Sequence, residues 1–139
     1  MLSATAQHAL KALIALAELE PAEFAGAAAI AKATGAPANY LGKLLQNLSR
    51  AGLLESRKGL GGGFRLAKPP SRISLYEIVE PIDRVSRFAG CLMGNAVCSD
   101  DRQCALHQRW AAVRDAYLGM LMECTLADVL ARRRELGQA

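Results

Sequence analysis

The sequence predicts a mainly α fold in which a single two-stranded hairpin stands between two helical halves, and three observations predict it. Apolar residues recur at helical spacing through most of the chain. The glycine run Gly61-Gly62-Gly63 lies between two short stretches of strand character. A chain of 139 residues with 52% hydrophobic content is also enough for one domain with a real core. No apolar run reaches about 18 residues, and the first residues carry neither a basic flank nor a cleavage-type ending. A membrane span and a secretory signal are therefore not expected, and the expected location is cytoplasmic.

Ser3 is placed to cap a first helix, because Leu10, Leu13, Ile14, Ala17 and Leu19 recur at helical spacing until Pro21. An alanine-rich helix follows over 27–33, Gly35 breaks it, and Pro37 stands where the next helix begins. That helix carries Tyr40, Leu41, Leu44, Leu45, Leu48 and Ala51. Helix, tight glycine turn, helix is the helix-turn-helix plan. In it the second helix offers its N-terminal residues to the major groove of DNA, and its apolar stripe packs inward. Asn39, Tyr40, Lys43 and Gln46 are the outward candidates. Asn and Gln pair bidentately with adenine, and Lys reaches guanine or phosphate. A plainer role stands beside this one, with Tyr40 partly core and Asn39 a cap-region residue.

Gly52 ends that helix, and residues 53–56 pair with 64–66 across a tip that holds Arg57, Lys58, Gly61 and Gly62. The hairpin is a wing. Its glycines let the backbone approach DNA closely, and Arg57 and Lys58 supply charge for phosphates or the minor groove. No Walker lysine pattern or strand-loop-helix setting accompanies the glycines, so nucleotide binding is rejected. Lys68-Pro69-Pro70 closes the wing, Ser74 caps a short helix over 75–79 with Glu77 three residues on, and Pro81 ends it. Beyond Arg87 come Gly90, Gly94, Asn95 and Ser99, a pliant loop. From Leu106 an apolar stripe through Trp110, Val113, Tyr117, Met120 or Leu121, and Cys124 marks a helix of about five turns. Such a helix suits a second copy of the chain, with Trp110, Val113, Tyr117 and Leu121 at the dimer interface. Thr125 caps a last helix with Asp128 three residues on, and Arg132, Arg133 and Arg134 complement its C-terminal dipole. The expected division is a winged helix-turn-helix domain over 1–82, a ligand-binding loop over 83–105, and a dimerisation helix with a C-terminal helix over 106–139.

The net charge of +4 is unevenly spread. Between Lys32 and Arg72 stand eight basic residues against Glu55 alone, a net of +7, which leaves −3 elsewhere. A basic segment in an otherwise mildly acidic chain is a phosphate-facing surface or a solvated face, and the helix-turn-helix beside it favours the first.

Cys91, Cys98, Cys104 and His107 fall within 90–107, spaced as Cys91-x6-Cys98-x5-Cys104-x2-His107. In a reducing compartment such thiols serve as ligands or redox groups more readily than as disulfides. Three thiols and an imidazole complete a first shell for a metal or cluster. Structural zinc favours two tight pairs, and only Cys104 with His107 has that spacing, so an iron-sulfur cluster is preferred; zinc and a metal-free thiol switch stay open. Cys124 is read as a small buried hydrophobe and His8 as a satisfied or exposed histidine. No paired carboxylates or nucleophile-base set stands out, so no enzyme is expected.

These residues together resemble the winged-helix regulators that include IscR, NsrR, RirA and CymR, the Rrf-two family. The resemblance runs from Ala9-Leu10-Lys11-Ala12-Leu13 through Tyr40-Leu41, Gly61-Gly62-Gly63-Phe64, Ile78-Val79 and the three cysteines to Cys104-Ala105-Leu106-His107 and Trp110. It implies a homodimeric repressor of a double-stranded DNA operator, sensing cluster status, iron, redox or nitric oxide. In the IscR branch three cysteines and a histidine hold a 2Fe–2S cluster, and those roles carry onto Cys91, Cys98, Cys104 and His107; a 4Fe–4S cluster stays open. The first gap has six residues where five are usual. Gln7 stands where the NsrR branch has an acidic ligand, and CymR-like members lack the cysteines. On the DNA side the resemblance places Lys58 in the minor groove and Tyr40 and Lys43 on the recognition helix. Gly42 replaces a glutamate that tunes site choice in IscR, so the operator sequence is not carried over.

Overall fold

The computed structural model describes residues 1–96, 98–101 and 103–138. Val97 and Arg102, in the expected ligand-binding loop, and Ala139, the last residue of the third expected segment, lie outside the described residues. In chain order the elements are α1 (Ala4–Ala17), α2 (Ala27–Thr34), α3 (Ala38–Arg50), β1 (Leu54–Arg57), β2 (Gly63–Leu66), α4 (Leu75–Asp83), α5 (His107–Glu123) and α6 (Leu126–Glu135). This is a mainly α winged helix-turn-helix.

The caps expected from the sequence start their helices. Ser3 Oγ accepts from the Ala6 N–H, and Ser74 with Glu77 and Thr125 with Asp128 form reciprocal capping boxes. Two local expectations are corrected. Pro81 does not end α4, which continues to Asp83. The proline withdraws one backbone donor, the Arg84 N–H then bonds to the Glu80 carbonyl, and the helix stops where Arg84 turns left-handed at φ 49°. The hairpin is also shifted: Arg57 lies inside β1 opposite Gly63, so the tip is 58–62.

The first core runs through α1, α2, α3 and the hairpin and on to Ile73 and Ile78, burying Leu13, Leu41, Leu45, Leu48 and Phe64. Ala25 joins the wing by exchanging both backbone hydrogen bonds with Phe64, at 2.9 and 2.8 Å. A second core, around Ala6, Val79, Val85 and Leu121, packs the inner face of α5 against α1 and α4. The chain then returns. Ser74 and Thr125 pair antiparallel, through Leu75 N–H to Cys124 O at 2.9 Å and Leu126 N–H to Ile73 O at 2.8 Å, and Leu126 is fully buried in the first core. No helix among the described residues is long and apolar enough to cross a membrane.

Candidate nucleic-acid interface and sulfur site

On α3 the apolar stripe Leu41, Leu44, Leu45 and Leu48 faces inward, which leaves Asn39, Lys43 and Gln46 exposed. Tyr40 is half-buried. Its hydroxyl lies 2.8 Å from Thr5 Oγ1 and its ring meets His8 edge-on at 5.5 Å, so it braces α3 against α1. His8 is accordingly half-buried against an aromatic face.

The wing presents Lys58 and Leu60 to solvent. Arg57, also exposed, stands 4.5 Å over the Phe24 ring, and Arg65 stands 4.4 Å over the same ring while pairing with Glu55 at 2.7 Å. The sequence carried no sign of Phe24, because the contact spans the long loop before α2. Gly61 occupies a left-handed turn position, and Gly62 sits where an added Cβ would meet the Arg57 carbonyl oxygen at 2.2 Å. Gly63, at φ 129°, would meet the Ala25 oxygen at 2.3 Å. The wing's glycines are thus required first by its own turn.

The sulfur site forms where the loop after α4 meets the first two turns of α5. Cys91 Sγ lies 3.8 Å from Cys104 Sγ, and Cys98 Sγ lies 3.4 Å from His107 Nδ1. His107, the first residue of α5, is 5% exposed, and its Nε2 is 3.0 Å from Asp100 Oδ1. A carboxylate only accepts, so Nε2 donates to Asp100, and Nδ1 is the ring nitrogen that faces Cys98. Backbone N–H groups of Asn95, then Met93, together with Cys104, hold the Cys91 thiol below its ordinary range against the opposing effect of burial. Trp110 Nε1–H donates to the Gly90 carbonyl at 2.9 Å. Arg114, one turn further on, donates to the Ala89 carbonyl at 3.3 Å and lies 3.4 Å from Cys98 Sγ.

The donors fit an iron-sulfur group in kind and in pair spacing. Two ligands of one tetrahedral metal lie roughly 3.8 Å apart for two sulfurs and roughly 3.5 Å for sulfur with nitrogen. Both observed pairs stand at such edges. Among the described residues no group of three or more His, Cys, Asp or Glu side chains is drawn together for a metal, so the ligands stand as two pairs. Cys124 is separate and half-buried at the end of α5, its thiol pushed up by burial and then by Asp128. Asp100 and Arg114 were missed from the sequence because neither belongs to a spacing habit.

Along α5 the expected dimer residues divide. Leu121 is 1% exposed within its own chain, Trp110 and Tyr117 are half-buried against Phe88, and Val113 is 55% exposed. Met120, seven residues after Val113, is 51% exposed.

A family model described as Rrf2, iron-dependent transcriptional regulator, matches residues 2–132. A relative from Aquifex aeolicus named as an HTH-type transcriptional regulator is 32% identical over 130 residues, 92% of this chain and 90% of that one. Among solved structures, IscR of T. potens superposes with a TM-score of 0.78 at 24% identity, covering 100% of this chain and 92% of that one. CymR of B. subtilis, described as its global cysteine regulator, superposes with a TM-score of 0.77 at 24% identity, covering 95% and 97%.

Proposed function

The chain belongs to the Rrf2 family of iron-dependent transcriptional regulators, and from that membership we propose that it is a cytoplasmic, homodimeric repressor governed by an iron-sulfur group on Cys91, Cys98, Cys104 and His107. A member of this family is a DNA-binding transcription regulator and not an enzyme. The sensor assignment rests on one observation, the two donor pairs at tetrahedral edge distances, which suit the two irons of a 2Fe–2S group. When bound, that group supplies a centre that oxidants, nitric oxide or iron shortage alter or remove.

This chain's own residues do the rest. Asp100 fixes the ring of His107, and Trp110 holds the start of the loop on α5. On the DNA side, Asn39, Lys43 and Gln46 face the major groove, Tyr40 sets the angle of α3 from behind and meets DNA at its edge, and Arg57, Lys58, Gly61 and Gly62 follow the backbone into the minor groove. The outer stripe of Val113 and Met120, with Trp110 and Tyr117 at its margin, meets a second copy; Leu121 supports it from inside. Two recognition helices must then match half-sites about 34 Å apart. The segments 1–82, 83–105 and 106–139 thereby serve as reader, sensor and dimer seam, with α6 returning to the reader.

A second reading is favoured by the same 3.8 Å contact: Cys91 and Cys104 as a thiol switch, with zinc or no metal. Anaerobic reconstitution followed by an absorption spectrum and iron, sulfide and zinc analysis separates the two. Charge-transfer bands with near-equal iron and sulfide, altered in His107→Ala, are expected. A colourless protein, with zinc or without metal, would transfer the assignment to the thiol reading. On the DNA side, Lys58→Ala is expected to lower operator affinity and reduce the salt slope by about 1.

A further inference from the structure

Arg114 is not accounted for by any role so far. Its side chain is 14% exposed although it carries a permanent charge, and its one carboxylate partner among the described residues, Asp115 at 2.9 Å, is its own neighbour on α5. A partly buried guanidinium is costly unless its donors are used. Here Nη1 is directed to two acceptors, the Ala89 carbonyl at 3.3 Å and the Cys98 sulfur at 3.4 Å. Ala89 ends the 3₁₀ segment Val85–Ala89 that leaves α4, and Val85 sits in the second core with Leu121. One side chain on α5 therefore touches a sulfur of the candidate site and the strap that joins this site to the reader.

We propose that Arg114 is the positioning residue that couples the sulfur site to α5. The inference rests on the reading of Cys98 as a ligand. The same nitrogen that donates to the Ala89 carbonyl also reaches the Cys98 sulfur, so this one guanidinium ties a candidate ligand residue to the strap. Filling the site fixes Cys98, Cys98 fixes Arg114, and Arg114 holds the Ala89 carbonyl in register with α5. Without a bound group Cys98 is held by its contacts to Arg114 and His107, and the strap then keeps a weaker tie. Trp110 performs the anchoring half of this task through its bond to the Gly90 carbonyl.

The test uses the full chain after anaerobic reconstitution, comparing wild type, Arg114→Met and Arg114→Lys. Wild type is expected to bind operator DNA with affinities that differ about 5- to 150-fold between loaded and empty protein, the usual range of coupling between two sites. Arg114→Met, which fills the space without a donor, is expected to take up iron and sulfide but to bring that ratio within about twofold of one. Its charge-transfer bands should shift and its midpoint potential should fall, because a hydrogen bond and a positive charge at a ligand sulfur stabilise the reduced group. Arg114→Lys keeps the charge but not the fork, and should recover part of the potential and little of the ratio; it decides the matter if Arg114→Met does not fold. Unchanged bands, potential and ratio in a folded variant would overturn the coupling role alone. Wild type that takes up no iron would overturn both this inference and the sensor reading beneath it.

Discussion

The wing and the sulfur loop are both glycine-punctuated turns that leave the core and come back, yet they are held by different parts of the chain. In the wing, backbone holds backbone: Gly62 lies against the Arg57 carbonyl, Gly63 against Ala25, and Phe64 exchanges two hydrogen bonds with Ala25. In the loop, local backbone turns such as Gly94 N–H to the Cys91 carbonyl are tied to the rest of the chain by side chains: Trp110 on Gly90, Arg114 on Ala89 and Cys98, Asp100 on His107. Gly94 in that loop has no atom within 4 Å of where a Cβ would stand. A shape fixed by backbone persists whatever binds nearby. Side-chain ties can be exchanged for a ligand, which fits the sensing and reading roles proposed for the loop and the wing.

The most severe way to break this contrast is Gly63→Ala. Its Cβ would stand 2.3 Å from the Ala25 oxygen at a φ of 129°, so a loss on the order of 3 kcal/mol, read by thermal unfolding, should accompany near-complete loss of operator binding. Gly94→Ala, at φ 78° in open space, should cost only about 1 kcal/mol and leave DNA binding in place; equal damage from the two would erase the distinction. Trp110→Phe keeps the ring edge on Phe88 but removes the donor to Gly90. It should lower stability by about 1 kcal/mol and speed protease cleavage within the loop, with the wing as resistant as before.

The smallest expected effect is in acid and falls on neither turn. Glu77, held below its ordinary value of 4.5 chiefly by Lys68 and then by the Ser74 backbone, caps α4 at the junction both regions share. Because its folded value is depressed, the stability it contributes is complete above pH 4.5 and is lost as pH falls through the lowered value. The carboxyl is 39% exposed, so screening limits this to about 0.2–1 kcal/mol. The difference in melting temperature between wild type and Glu77→Gln should therefore shrink below pH 4.5; a difference that grew in acid would contradict the assignment.

What was legible in the sequence follows the range of the forces involved. Ser3, Ser74 with Glu77, and Thr125 with Asp128 act within one helical turn, so the helix starts could be placed from residue type and spacing. The inward stripe of α3 repeats every three or four residues and was equally plain. Pro81 misled because a proline removes only one donor, and the tertiary packing of Ile78 and Val79 carries α4 past it. The stripe on α5 was read as one surface, but Leu121 and Val113 face different neighbours, and helical spacing cannot say which side belongs to the chain itself. For the candidate site, residue types and order gave the four donors, whereas their division into pairs and the parts played by Asp100 and Arg114 depend on how a loop folds back across α5.

The antiparallel pairing of Ser74 with Thr125 bears on how the molecule is made. Leu126 completes a core otherwise drawn from α1, α2, α3, the hairpin, Ile73 just before α4 and Ile78 within it. A chain emerging from the ribosome therefore cannot finish its reader until α6 has been synthesised. The apolar seat for Leu126 stays open until then, and long-range closure of this kind slows folding. A product truncated before Leu126 should therefore be met as a client of chaperones and proteases rather than as a smaller working regulator.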